Sequence, residues 1–132
     1  MRRARLAAER AAADQERGRF RPPDRRDCVE RSWYQSLDDT DTMRLDHRLY
    51  RADGRLVDFA LIVIALQLDG AWREVARVDC RHGHVHLHHE DGAVSSIGPL
   101  HRVADVAEHL DAALVRVTAY AVTIRDMRGS DD

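Results

Sequence analysis

The chain has 132 residues and a formal charge of −2, enough for one hydrophobic core and too few for two. A third of the residues are charged, and all 21 basic residues are Arg. The near-balance of signs excludes the global basic field of a dedicated nucleic-acid binder, so an anion must be met by a local patch.

Residues 2 to 19 are mostly Arg, Ala and Glu, with few apolar anchors beyond Leu6. That composition favours a helix but supplies no broad apolar face to dock, so an N-terminal Arg/Ala-rich helix or solvated arm is expected. Pro22-Pro23 ends it, and the polar stretch up to residue 42, interrupted by Trp33-Tyr34, reads as a poorly ordered connector. The first 26 residues carry nine Args against four acids, which suits either a solubilising tail or an arm for nucleic acid or a protein partner. Cys28 and Cys80 do not make a disulfide scaffold, which points to a reduced setting. The longest apolar run, Phe59 to Leu66, is eight residues, against the roughly 20 that a spanning helix needs. The N-terminus lacks the apolar region of a secretory signal. A soluble, cytoplasmic protein with no membrane partner is expected.

The pattern changes at Met43. Leu45–Arg51, Leu56–Leu68, Trp72–Cys80 and His84–His89 read as strands separated by Asp53-Gly54, Asp69-Gly70 and His82-Gly83. Asp-Gly between extended segments signals a tight hairpin, because type I′ turns need positive φ at both central positions. Three such turns in series imply an antiparallel meander. Closing the last hairpin on His82-Gly83 sets Arg81 opposite His84, Asp79 opposite His86 and Arg77 opposite His88, with Cys80 facing Val85 and Val78 facing Leu87. Closing the preceding one on Asp69-Gly70 pairs Leu61 with Val78, Val63 with Ala76 and Gln67 with Trp72. The core face then holds Phe59, Leu61, Val63, Trp72, Ala76, Val78, Cys80, Val85 and Leu87.

Pro99 stops the sheet. Beyond it Val103, Val106, Leu110, Leu114, Val117, Ala121 and Ile124 recur at helical spacing over about residues 103–127, a stripe that would cover the core face. His101 and His109 read as ordinary surface histidines. The expected fold is α+β: a four-stranded antiparallel meander with a long C-terminal helix on one face, spanning 43–128, with a disordered tail at 129–132. The second strand is apolar on both sides, so Ile62, Ile64 and Leu66 need cover. Leu45 and Leu49, the Trp33-Tyr34 region, or a second copy of the chain in a homodimer through this face are the candidates.

Five of the eight histidines fall between residues 82 and 89. His84, His86 and His88 alternate along one strand and therefore share a face, neighbours being about 7 Å apart. Two of them can share a Zn²⁺ through bonds of ~2.0–2.1 Å; the outer pair, about 13 Å apart, cannot. A zinc site would then use His84, His86 and Asp79, or less directly His47. Without metal, Asp79 opposite His86 fixes a tautomer and raises basicity. His84 or His88 then serves as general acid, and Arg77 and Arg81 hold an anionic group. Such a set suits cleavage of an RNA phosphodiester by its own 2′-hydroxyl, with no cofactor. The alternatives are a non-catalytic zinc-binding or partner-binding module, and solvated polar residues on an open sheet face.

The run Asp69-Gly70-Ala71-Trp72-Arg73-Glu74-Val75-Ala76-Arg77-Val78-Asp79, followed by His82-Gly83 and His86, resembles a small bacterial and archaeal domain. Its pattern is roughly G-x-W-x-x-V-x-R-Y-D-x-x-H-G-x-x-H. Its R-x-D followed by a His-rich strand is similar to the TumE-like toxins of toxin–antitoxin pairs. The likeness spans about residues 45 to 125 and departs at Val78, where Tyr is usual, and in the additional histidines. It implies that Arg77, Asp79, His82 and His86 are the motif positions, and that the role is toxin-like, with an antitoxin partner and an RNA substrate.

Overall fold

The computed structural model describes residues 18–81 and 83–130. The helix expected over residues 2–19 falls almost wholly outside the described residues, as do His82 and the last two residues of the expected tail. Among the described residues a short 3-10 turn (Arg25–Asp27) is followed by six strands, β1 (Val29–Ser36), β2 (Met43–Ala52), β3 (Arg55–Leu66), β4 (Trp72–Arg81), β5 (His84–His88) and β6 (Val94–Pro99), and then by the α-helix α1 (Val103–Ser130). The strands form a single antiparallel sheet in sequence order.

The α+β meander and the long C-terminal helix are as expected, but there are six strands and not four. The two unforeseen strands are the edges. All eight residues of β1 are exposed, so no buried face imposes the alternation by which a strand is recognised. It lies within the stretch read as a connector, and the folded domain therefore begins well before residue 43. β6 carries Gly98 and Pro99, which argue against a strand except at an edge.

The turns set the register. At Asp53-Gly54 both φ angles are positive, 53° and 76°, as a two-residue hairpin requires. At Asp69-Gly70 only the glycine is left-handed. Gly70 N donates to Gln67 O at 2.9 Å and Gln67 N to Ala71 O at 2.8 Å, giving a three-residue loop built on a type I turn. This moves Trp72 opposite Leu66, not Gln67, and a bulge at Val75 then restores the expected Val63–Ala76 and Leu61–Val78 pairs. Trp72 consequently leaves the core face and lies half-buried on the other side, with the Arg44 guanidinium 4.2 Å above its ring. The same three-residue loop recurs at Glu90-Asp91-Gly92, where Gly92 N donates to His89 O and His89 N to Ala93 O.

Helix α1 packs chiefly on β3 and also touches β4, β5 and β6. Val106, Ala113, Val117, Ala121 and Ile124 are buried against Phe59, Leu61, Val63, Val78, Val85 and Leu87, each large side chain contributing about 1.5–3 kcal/mol. At the helix start the Asp105 carboxylate accepts from His101 N and Arg102 N at 2.9 and 3.0 Å, and these bonds hold its pKa below the ordinary value. No helix among the described residues is long and apolar enough to cross a membrane.

The other face of β3 is covered differently from the expectation. Leu45 and Leu49 pair with Val63 and Phe59 and belong to the helix-side core. Ile62 stands between Asp46 and Arg77, and Ile64 between Arg44 and Glu74. The long side chains beside them are engaged with their own partners, Arg77 with Glu74 and Arg44 with Asp41 and the Trp72 ring, and Ile62 is left only 3 % exposed. The N-terminal segment closes one end of the sheet. Gly18 N and Leu100 N both donate to Gly83 O at 2.7 Å, and Arg25 Nε donates to Asp58 Oδ2 at 2.9 Å with its guanidinium 4.5 Å above the Tyr50 ring.

Candidate functional site

The β4–β5 hairpin has the register expected from the sequence: Arg77↔His88, Val78↔Leu87, Asp79↔His86, Cys80↔Val85 and Arg81↔His84. Directly opposed residues share a face. Arg77, Asp79, His84, His86 and His88 therefore gather on the side away from α1, whose own side holds Val78, Val85 and Leu87. His82 and the side chain of Arg81 lie outside the described residues. Gly83 has φ +70°, and a Cβ there would strike the Gly18 carbonyl, so this turn is fixed by left-handed backbone and by the N-terminal segment passing over it.

Within the cluster the imidazoles differ in depth. His84 is only 3 % exposed, with Nε2 2.6 Å from Ser96 Oγ. Its ring stacks on His86 at 4.4 Å between centroids and 25° between planes. His86 and His88 lie 6.3 Å apart and tilted by 56°. His88, its side chain 42 % exposed, brings Nε2 to 3.4 Å from Asp79 Oδ1, a carboxylate at 4 % exposure. Asp79 thus faces His86 across the ladder and meets His88 on the diagonal, a distance that long side chains span.

Arg77, expected to anchor an anion, is already paired: Nε and Nη2 donate to Glu74 Oε1 at 3.1 and 2.8 Å. Residues three apart on a regular strand point to opposite faces. The Val75 bulge is what turns Glu74 onto the side of Arg77, and no residue type in the sequence announces it. Ser96 was also missed: the Asp91-Gly92 dipeptide signals a turn, but a two-residue loop there would set Ile97 opposite His86, and only the three-residue loop Glu90-Asp91-Gly92 brings Ser96 to that place.

Other expected participants lie elsewhere. His47 pairs with Leu61 on the helix side, so it cannot join the cluster. It stacks on Trp33 at 4.6 Å, burial pushes its pKa down, and its buried Nε2 has no hydrogen-bond partner among the described residues. His89 sits edge-on to Tyr120 of α1. His109 is no free surface residue, because its Nε2 lies 2.7 Å from Pro99 O; His101 is exposed. Cys80 is buried, and burial raises its thiol pKa. Among the described residues no three His, Cys, Asp or Glu side chains are grouped as metal ligands. Imidazole lone pairs lie in the ring plane, so stacked His84 and His86 must rotate before they share one ion. A groove of about 1260 Å³, lined by Asp38, Thr42, Glu90, Arg125 and Arg128 among others, contains none of the cluster.

Comparison with known families matches residues 24–117 to the family described as "Domain of unknown function (DUF7718)". That range takes in all six strands and the first half of α1. Neither the curated proteins nor the solved structures yield a match.

Proposed function

The chain belongs to the DUF7718 family, and since that membership assigns no chemistry, we propose from the side chains themselves that it is a metal-independent endoribonuclease with a toxin-like role. The observation that carries the proposal is the meeting of a nearly buried carboxylate with a half-exposed imidazole: Asp79 Oδ1 is 3.4 Å from His88 Nε2. A second imidazole, His86, lies beside them. A carboxylate so placed fixes ring orientation and stabilises the imidazolium that forms on proton transfer. His88 takes the proton of the ribose 2′-hydroxyl, whose oxygen attacks the adjacent phosphorus. His86, 6.3 Å away, protonates the departing 5′-oxygen, which leaves a 2′,3′-cyclic phosphate. Buried His84, bonded to Ser96 and stacked on His86, orients that ring. Arg77 meets the phosphate and must exchange Glu74 for it; Arg81 and His82 are the remaining sequence candidates for holding the anion.

The likeness of Arg77-x-Asp79 and the His-rich strand to TumE-like toxins supports the toxin-like role and the antitoxin partner. Purified full-length protein incubated with single-stranded RNA in the presence of a chelator tests the chemistry. Wild type should cleave, His88→Ala and His86→Ala should each lose at least a hundredfold in rate, on the scale of a general acid or base, and Asp79→Asn should fall between. Expression of wild type beside His86→Ala in a bacterial host tests the role. Growth arrest with fragmented RNA only in the wild type is expected; intact RNA and normal growth in both would overturn the proposal.

A further inference from the structure

The two edges of the sheet are treated differently. β6 is closed: it carries a bulge at Ile97 and ends in Pro99, and two side chains of α1 take its carbonyls. Arg116 Nη1 donates to Ser96 O at 2.7 Å, and His109 Nε2 lies 2.7 Å from Pro99 O. Among the described residues β1 has none of these devices. Its ladder with β2 runs through eight successive pairs without a bulge, it contains no Pro, and each of its residues is exposed. Apolar side chains stand on both its faces, Val29 and Trp33 toward the α1 side and Tyr34 toward the cluster side, at 74, 41 and 61 % exposure. A long, regular edge with unpaired backbone groups and exposed aromatics is a template for another strand.

From this contrast we propose that β1 pairs antiparallel with β1 of a second copy of the chain, joining two six-stranded sheets into one of twelve. A twofold axis perpendicular to the sheet keeps the faces of the two copies continuous, and such an interface must be self-complementary. Opposed residues must then share parity, so only a residue of β1 itself can sit on the axis. An axis at Arg31 would set two guanidiniums against each other. With the axis at Ser32, Arg31 of one copy faces Trp33 of the other, and Glu30 faces Tyr34. Each charge thus meets an aromatic residue, and Arg31 already shows the affinity within its own chain, where it stands 5.3 Å from the Trp33 ring. Glu30 can accept from the Tyr34 hydroxyl. The charge pattern therefore fits a second copy of this strand. This pairing uses the edge of the sheet and not the β3 face expected from the sequence, where Ile62 is already buried. It leaves both histidine clusters on the same side of the joined sheet.

Sedimentation of the full chain over a wide concentration range should show a monomer–dimer equilibrium. The double variant Trp33→Lys/Tyr34→Lys, with far-UV circular dichroism unchanged, should shift that equilibrium at least tenfold toward monomer. Placement is read by cross-linking in a Cys28→Ser background: Ser32→Cys meets its own copy across the axis and should give a disulfide-linked dimer on mild oxidation. Val29→Cys, whose two copies stand six positions apart along the strands, should not. A monomer at every concentration would overturn the proposal and leave the edge to an unrelated chain. A dimer indifferent to the double Lys variant, or equal cross-linking at positions 29 and 32, would also overturn it.

Discussion

Arg25→Ala tests whether the N-terminal segment is part of the folded domain or merely lies against it. The guanidinium is 2.9 Å from Asp58 Oδ2, the two side chains being 40 % and 6 % exposed. Exposed pairs contribute about 0–1 kcal/mol, whereas breaking a fully buried one costs about 3–5 kcal/mol. Half-exposed Arg25 places this contact between those limits. Asp58 also keeps its bond from Phe59 N at 2.8 Å, so the carboxylate is not stranded when Arg25 is lost. The expected cost is about 2 kcal/mol, within the range for hydrogen bonds to charged groups. At roughly 3–4 °C per kcal/mol for a domain of this size, Tm should fall by about 6–8 °C. Asp58→Asn should cost a similar amount, and the double variant distinctly less than the sum, because the two changes remove one shared contact. Trypsin should also cut after Arg19 sooner in Arg25→Ala than in wild type, since the segment is released. A Tm change within about 1 °C, or strict additivity with Asp58→Asn, would refute the anchoring reasoning.

Phe59→Ala removes a side chain with no exposed surface at the centre of the core, and denaturant titration should show a loss of about 3–5 kcal/mol. Burial lowers the pKa of His47, so the folded chain binds fewer protons than the unfolded one. Stability should therefore fall as pH drops below about 6.5 and level off under the lowered folded value; His47→Gln should flatten that slope, and an unchanged slope would contradict it. Glu74→Gln weakens the carboxylate's hold on Arg77. If Arg77 meets the phosphate, this variant should bind RNA about threefold or more tighter by fluorescence anisotropy, equivalent to roughly 0.7 kcal/mol, whereas weaker binding would remove Arg77 from the site.

Most of the interior was legible because buried faces leave periodic marks. Phe59, Leu61 and Val63 on β3, Val78 on β4 and the Val106–Ile124 stripe on α1 all announce themselves in this way, and His82-Gly83 sets the β4–β5 register on which the cluster stands; Asp53-Gly54 sets only the first two β2–β3 pairs, up to a bulge at Val57. What escaped is what periodicity cannot report. β1 buries nothing, so it leaves no alternating mark. The Val75 bulge has no residue signature, yet it moved Trp72 off the core face and brought Glu74 beside Arg77. His109 looked like a surface residue because its role, taking the Pro99 carbonyl, exists only once β6 is recognised. Within the cluster, the pattern placed Asp79, His84, His86 and His88 on one face but not at their depths: His84 is buried where β6 brings Ser96 to its ring, and the diagonal reach of Asp79 to His88 depends on side-chain conformation.

The most direct test uses a DNA oligonucleotide carrying one internal ribonucleotide, incubated with wild type and with His88→Ala. If His88, oriented by Asp79, withdraws the proton of a 2′-hydroxyl, wild type cuts only on the 3′ side of that ribose and leaves a 2′,3′-cyclic phosphate. Methylation of the 2′-oxygen then abolishes the cut, and His88→Ala is at least a hundredfold slower. An uncut oligonucleotide, a cut that survives 2′-O-methylation, or full activity in His88→Ala would contradict the proposed chemistry.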